Sequence, residues 1–308
     1  MRVTQSMLSN NMLRNLTSSY SKMGKLNDQL TTGKKVNRPS DDPVVAMRGL
    51  GYRMQVDKVA QYQRNIGEVN NWLDSTDDAL DKVGQALHRT KELVTNAANS
   101  GAMTDADREK IKSELDQLRK QIQDTANTKV GDKYIFSGTK TGSALYDKTL
   151  VDDGNGNMVE KGYPEISTDT DPAGALTAFE SDVNINVFDG VQLNVNSNSA
   201  KLFKDIEAMF KSFDDPDVDF DAAIGKVDGM MDDLLTERAD VGARQNRAEL
   251  MNDRLETQEV IATKQMSVNE DIDYEKVITE MITQESVHRA ALSVGARIIQ
   301  PSLVDFLR

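Results

Sequence analysis

The chain has 308 residues, no cysteine, two histidines (His88 and His288), one tryptophan and a net charge of −13. Without cysteine there is no disulfide framework, thiolate metal site or cysteine nucleophile, and the acidic balance repels nucleic-acid phosphates. Aromatic residues make up only 5%, little bulk for lining an enzyme pocket, and no apolar run approaches bilayer-spanning length.

The opening MRVTQSMLSNN lacks the apolar stretch of a cleavable secretion signal. Leu8, Met12, Leu16, Tyr20, Met23, Leu26 and Leu30 then advance by threes and fours, predicting an amphipathic helix. Asp42 followed by Pro43 reads as the cap and first residue of a second helix. Its seam is long: Tyr62, Ile66, Val69, Leu73, Thr76, Leu80, Val83, Leu87, Thr90, Val94 and Ala97 alternate fours and threes. Upstream, through Val59, Gln55, Tyr52, Arg48 and Val45, the seam is weaker. Such a heptad seam packs along another long helix. Asn99-Ser100-Gly101 reads as a stop, and Ile111, Leu115, Leu118 and Ile122 as a third helix folding back on the second.

The middle of the chain is rich in glycine and turn residues. Val183, Ile185 and Val187, then Val191, Leu193 and Val195, alternate with polar residues around Asp189-Gly190, predicting a β-hairpin. A two-stranded ribbon is marginal alone, so further strands are expected from residues 134–170 to join it. Residues 137–200 therefore read as a small β-rich insertion.

Beyond Pro216, Val227, Leu234, Val241, Ala248, Leu255 and Ala262 repeat every seven residues. The alternate seam position turns polar through Arg238, Gln245, Asn252 and Glu259, a pattern that selects register at a cost in stability. A last ladder runs Ile278, Ile282, Glu285, Arg289, Leu292, Ala296, Ile299, Leu303, Phe306, with Pro301 set to kink or end it. Residues 1–40 carry a net +6 and residues 267–308 a net −3, so the two ends are expected to meet.

No constellation suggests catalysis, a metal or a cofactor. His88 and His288 lack convergent ligands. The acidic residues of 214–221 read as a hydrated loop and helix start rather than a calcium site. Asp153–Asn157 departs from an EF-hand loop, with Met158 where glycine is needed and Pro164 where glutamate is needed. Gly49-Leu50-Gly51 lacks the strand and third glycine of a dinucleotide site.

Three strings resemble the bacterial flagellin superfamily. They are Leu30–Pro43 (LTTGKKVNRPSDDP), Arg238–Arg247 (RADVGARQNR) and Ser267–Asp273 (SVNEDID), in family order at both ends. Within that superfamily, Gly131–Thr139 (GDKYIFSGT) and the two extreme ends are more similar to the hook-associated protein 3 family, the hook–filament junction proteins, than to filament flagellin. Arg89, Glu92 and Leu93 resemble part of the flagellin surface sensed by a Toll-like receptor, but the segment after them departs from it.

The resemblance implies a structural axial protein, not an enzyme, with neither nucleic-acid binding nor membrane insertion. It implies type III export with an export chaperone, placement on the flagellum outside the cell, and contact with further copies of itself, hook-associated protein 1 and flagellin. The expected fold is mainly α: a long antiparallel bundle of N- and C-terminal segments with a β domain inserted. Residues 1–44 with 267–308 form the terminal assembly domain, 45–136 with 201–266 the helical core, and 137–200 the outer domain. Leu8, Met12, Leu16, Tyr20, Met23, Leu30, Ile278, Ile282, Leu292, Ile299, Leu303 and Phe306 are the expected assembly residues. The family motifs assign Gly33, Asn37, Arg38, Pro39, Ser40, Asp41, Asp42, Pro43, Arg238, Gly242, Gln245, Asn246, Arg247, Asp271 and Asp273 to a joint between terminal and core helices. A filament flagellin and a cytosolic coiled-coil adaptor are the competing readings.

Overall fold

The structure, a computed structural model, describes residues 5–98, 105–152, 158–164, 178–214 and 219–299. Six helices are present among them: α1 (Gln5–Thr32), α2 (Pro43–Ala98), α3 (Asp105–Ala126), α4 (Ala200–Lys211), α5 (Phe220–Glu270) and α6 (Tyr274–Ile299). Six strands, β1 (Lys129–Val130), β2 (Lys133–Tyr134), β3 (Asp147–Asp152), β4 (Met158–Gly162), β5 (Asn184–Phe188) and β6 (Val191–Asn194), lie between α3 and α4. The chain divides into two compact units, Met1–Val59 with Thr257–Arg308, and Ala60–Glu256.

In the Ala60–Glu256 unit the heptad seams become the core. Ile66, Val69, Leu73, Leu80, Val83, Leu87, Val94 and Ala97 of α2 are buried, as are Val227, Leu234, Val241, Ala248 and Leu255 of α5. The two seam threonines are buried too. Thr76 donates its hydroxyl to the Trp72 carbonyl at 2.9 Å and Thr90 to that of Ala86 at 2.8 Å, so neither carries an unpaired polar group into the core. The polar positions of the α5 seam meet aspartates of α2. Arg238 donates to Asp77 at 3.0 Å and Asp81 at 2.7 Å, and Gln245 to Asp74 at 3.0 Å. Those pairs run in opposite chain directions, fixing an antiparallel register.

The amphipathic helix α4 was not expected from the sequence. It buries Leu202, Phe203, Ile206, Met209 and Phe210. Its Glu207 carboxylate is buried and accepts from Arg119 (3.0 and 2.5 Å) and Gln123 (3.0 Å) of α3. Phe136 and Phe203 meet edge to face with centroids 4.9 Å apart.

The strands correct one expectation. Among the described residues they form three separate antiparallel ribbons, β1–β2, β3–β4 and β5–β6, and no other strand joins the predicted hairpin. Helices complete it instead. Val187, Leu193 and Val195 are buried, Asn65 of α2 donates to the Asn186 carbonyl at 2.6 Å, and the Arg254 guanidinium lies 4.2 Å from the Phe188 ring centroid. Gly190 supplies the positive φ (70°) of the turn.

Gly138, in the GDKYIFSGT string, adopts φ 55°, and a Cβ there would lie 2.5 Å from the Ala178 carbonyl oxygen. Thr139 donates to that same oxygen from its backbone N–H and its hydroxyl, both at 2.9 Å. The returning end of the insertion thus crosses directly over a glycine that leaves it room.

In the other unit α1 and α6 lie antiparallel. Gln284 donates to the Ser19 hydroxyl at 2.8 Å, and Met12 packs over Gly295, where a side chain would overlap it. The helix stop at Asn99–Gly101, the Asp153–Asn157 loop, Pro301 with the end of the last ladder, and residues 215–218 of the acidic run lie outside the described residues. Asp219 caps α5 by accepting from the N–H groups of Asp221 (3.0 Å) and Ala222 (3.2 Å).

Candidate functional site

The joint is built from two motifs more than two hundred residues apart. Helix α1 ends at Gly33, whose φ of 71° closes an N–H bond to the Gln29 carbonyl at 2.8 Å. The next residues run antiparallel to the stretch between α5 and α6. Lys35 N–H donates to the Glu270 carbonyl at 2.7 Å, and Ile272 N–H to that of Gly33 at 3.0 Å, bracketing a bridge between Lys34 and Asp271. This bridge interrupts the C-terminal helical run without proline or glycine: the backbone leaves α5 to pair, and Asp273 restarts it by capping α6 at Lys276 N–H, 3.2 Å away.

Charges fasten the same place. Glu270 is buried and accepts from Arg53 of α2 through two parallel bonds of 2.8 and 2.7 Å. Lys34 stands 3.4 Å from Glu270 and donates to Asp271 at 2.7 Å, and Ser267 donates to the other Asp271 oxygen at 2.5 Å. The Arg53 guanidinium, with Lys34, holds the Glu270 carboxyl below its ordinary range. Lys34 and the Ser267 hydroxyl do the same for Asp271, and Asp271 in turn raises the Lys34 ammonium. Asn269 donates to the Val45 carbonyl at 3.1 Å. Gly49 is buried under Glu270, where a Cβ would come within 2.7 Å of the carboxylate.

The expected joint residues separate into two groups. Gly33 and Asp271 make the bridge, and Asp273 caps α6. Asp42 caps α2 by accepting from the N–H groups of Val44 (3.0 Å) and Val45 (3.1 Å), with Pro43 as the first helical residue. Asn37 accepts from the Thr32 hydroxyl at 2.7 Å, and Asp41 accepts from Arg38 N–H at 3.3 Å and pairs with Lys25 at 3.1 Å. Pro39 and Ser40 are exposed turn residues. Arg238, Gly242, Gln245, Asn246 and Arg247 are not at the joint. They lie on α5 in the Ala60–Glu256 unit, where Arg238 and Gln245 fix the α2–α5 register and Asn246 and Arg247 are exposed.

The expected assembly residues leave an apolar face open. Leu8, Tyr20, Ile278, Ile282 and Leu292 are exposed, Tyr20 by 69% and Ile282 by 60%. Met12, Leu16, Met23 and Leu30 are half-buried, Met12 against Gly295 of α6. The Ile299 side chain, Leu303 and Phe306 lie outside the described residues. Sequence reasoning missed a second open stripe, Val44, Met47, Leu50 and Met54 at the start of α2, with Met47 70% and Met54 71% exposed. It also missed Arg53, Glu270 and Gly49, which fall off the seams used to find helices. The two strings Leu30–Pro43 and Ser267–Asp273 were the available signal, since both are polar inside helical surroundings.

Other candidates resolve simply. His88 is exposed on α2, and His288 sits 6.2 Å from the Tyr20 ring. No group of potential metal ligands is present among the described residues. Arg89 is tied to Glu92 and Glu114, and Leu93 is buried. No described helix is long and apolar enough to cross a membrane.

Residues 3–141 match the bacterial flagellin N-terminal helical region, and residues 224–307 match the bacterial flagellin C-terminal helical region. The chain belongs to the bacterial flagellin family. This flagellin-family chain is 25% identical to the flagellar hook-associated protein 3 of Escherichia coli K12, covering 94% of this chain and 95% of that one. It is 26% identical to the flagellin of Bacillus subtilis 168, covering 97% of each. Among solved structures it is similar to a putative flagellar hook-associated protein from Vibrio parahaemolyticus, with a TM-score of 0.58 and 25% identity over 75% of this chain and 99% of that one. The helical bundle with a small strand-bearing insertion is the flagellin-like fold.

Proposed function

We propose that this chain is the axial subunit that joins the hook to the flagellin filament. It would be exported through the flagellar type III apparatus with an export chaperone and assembled outside the cell. Hook-associated protein 1 on one side and flagellin on the other are the proposed neighbours, with further copies of the chain around the ring.

The observation that carries this reading is the open apolar face of α1 and α6. Leu8, Ile278, Ile282 and Leu292 are exposed, and Tyr20 is 69% exposed beside the His288 ring. Burying such side chains contributes about 1.5–3 kcal/mol each, offset by ordering. Neighbouring subunits supply the missing surface. In this scheme residues 1–44 with 267–308 line the inner tube, 45–136 with 201–266 form the wall, and 137–200 project outward. Likeness along nearly the whole chain to a hook-associated protein 3 supports the junction role. A strain lacking the gene is expected to build hooks and release flagellin monomers into the medium; normal filaments in that strain contradict the proposal.

The similarity to Bacillus subtilis flagellin favours a second reading, a filament subunit. Growth of the purified chain alone into long filaments would select it. Confinement of the protein to the cell interior would instead select a coiled-coil adaptor.

A further inference from the structure

We infer that two open rows on α2 and α5 form a contact between neighbouring copies of this chain: Val44, Met47, Gly51, Met54 and Lys58 of one copy lie antiparallel against Thr257, Ile261, Lys264 and Val268 of the next. The inference rests on the axial reading, which sets identical copies side by side. It adds a second lateral surface, separate from the exposed residues of α1 and α6.

Both rows are outward seams at heptad spacing. The α2 row steps by 3, 4, 3 and 4, and the α5 row by 4, 3 and 4. Every residue of both rows is exposed, Val268 by 67%, and Leu50 and Val260 widen them with further exposed apolar surface. Within one chain the two helices meet through other faces. Asn269 donates to the Val45 carbonyl at 3.1 Å, Arg53 grips Glu270, and Gly49 lies under that carboxylate. Val59 and Ala262 are buried. A single copy therefore leaves both rows uncovered, and apolar surface left open in this way marks an interaction site.

The rows match in spacing and in shape. Met47 to Met54 and Ile261 to Val268 are both seven residues apart. One antiparallel alignment therefore sets Met47 beside Val268 and Met54 beside Ile261 together. The antiparallel sense follows from the fold: α2 and α5 run in opposite directions in one chain, and copies arranged round one axis keep their directions. The same alignment brings Lys264 to Gly51. A Cβ on Gly51 would meet nothing within 4 Å, so the α2 row has a hole between its two methionines. The lysine stem fills that hole while its ammonium reaches water. Methionine side chains adapt readily to such a surface.

Charge selects the partner. Residues 44–58 carry Arg48, Arg53 and Lys58 against Asp57, a net +2. Residues 253–268 carry Asp253, Glu256 and Glu259 against Arg254 and Lys264, a net −1. Pairing α2 with α2 of a second copy opposes like charges, whereas pairing α2 with α5 joins opposite ones. Two different rows meeting head to tail make a heterologous contact, the kind that closes into a ring or continues as a helix.

The absence of cysteine makes the test direct. Met47→Cys and Val268→Cys are placed in separate full-length chains, so no disulfide can close within one chain. The two are co-expressed in cells lacking the parent gene, and the flagella are sheared off, oxidised with copper–phenanthroline and run on a non-reducing gel. A dimer of this chain is expected from that mixture and from Met54→Cys mixed with Ile261→Cys, and none from any single variant alone. Met47→Cys mixed with Ile261→Cys is offset by one heptad, about 10 Å along the helix, and should give none. A benzophenone maleimide on Met47→Cys should capture a second copy on illumination. In flagella that carry the chain, four results would each overturn the contact and leave the axial role standing. These are no dimer from the matched mixtures, dimer from a single variant alone, equal dimer from the offset pair, or photocapture of flagellin or hook-associated protein 1 in place of a second copy. Flagella that lack the chain altogether would overturn both.

Discussion

Arg53 donates two parallel hydrogen bonds, 2.8 and 2.7 Å long, to the carboxylate of Glu270, 217 residues further along the chain. The acceptor is buried while the donor is largely exposed, so the pair is a surface arginine reaching down onto an enclosed acid. Arg53→Met strands that acid. The expected loss is on the order of 1–3 kcal/mol in the unit that holds the chain ends. Arg53→Lys should recover only part of it, because an ammonium cannot make the two-bond fork. Denaturant titration followed by far-ultraviolet circular dichroism measures both.

The pH dependence has a definite sign. Glu270 and Asp271 both titrate below their ordinary values in the folded chain, so their contribution is complete above the ordinary carboxylate range. It is lost as pH falls through the depressed folded values. Stability of the chain-end helices should therefore decline on the acid side of about pH 4 and be flat from there toward neutrality. Glu270→Gln should lower the neutral plateau and flatten the acid limb, as read by urea melts at several pH values.

Gly138→Ala tests the crossing at the entrance to the insertion. The added methyl would lie 2.5 Å from a backbone oxygen, at a φ of 55° that disfavours any side chain. A loss of roughly 1–3 kcal/mol is expected. Gly33→Ala should cost less, since the atom it meets, 2.8 Å away, is the hydroxyl tip of the exposed Tyr274. Thermal melts of the two variants should rank in that order.

Ile282→Asp separates assembly from folding. Ile282 is 60% exposed, so the purified monomer should melt within about 0.5 kcal/mol of the parent. In cells the variant should fail to retain flagellin, releasing it to the medium. Leu234→Ala, in the buried seam facing Gly84, should do the reverse and cost about 2–5 kcal/mol in the monomer.

The helices were legible because their signal is periodic. Val227 to Ala262 repeats without a break, and every member of that row is buried. The Asp189-Gly190 hairpin was legible for the same reason. What joins it was not, because Asn65 and Arg254 act on the ribbon from polar faces of helices that periodicity leaves unassigned, and Tyr62, the first residue of the α2 seam, reaches it through its hydroxyl. The joint was half legible. Gly33, Asp42 and Asp273 follow local rules for helix ends, but Arg53 and Glu270 find each other only once the fold brings distant segments together. The polar positions of the α5 seam likewise gained meaning only beside Asp74, Asp77 and Asp81, and the motif around Arg238 proved to serve helix register rather than the joint.

The axial role is tested most directly by electron microscopy of intact flagella decorated with gold-labelled antibody against this chain. The account predicts a single narrow band at the boundary between hook and filament. Label distributed along the filament, or absent from the flagellum altogether, would contradict it.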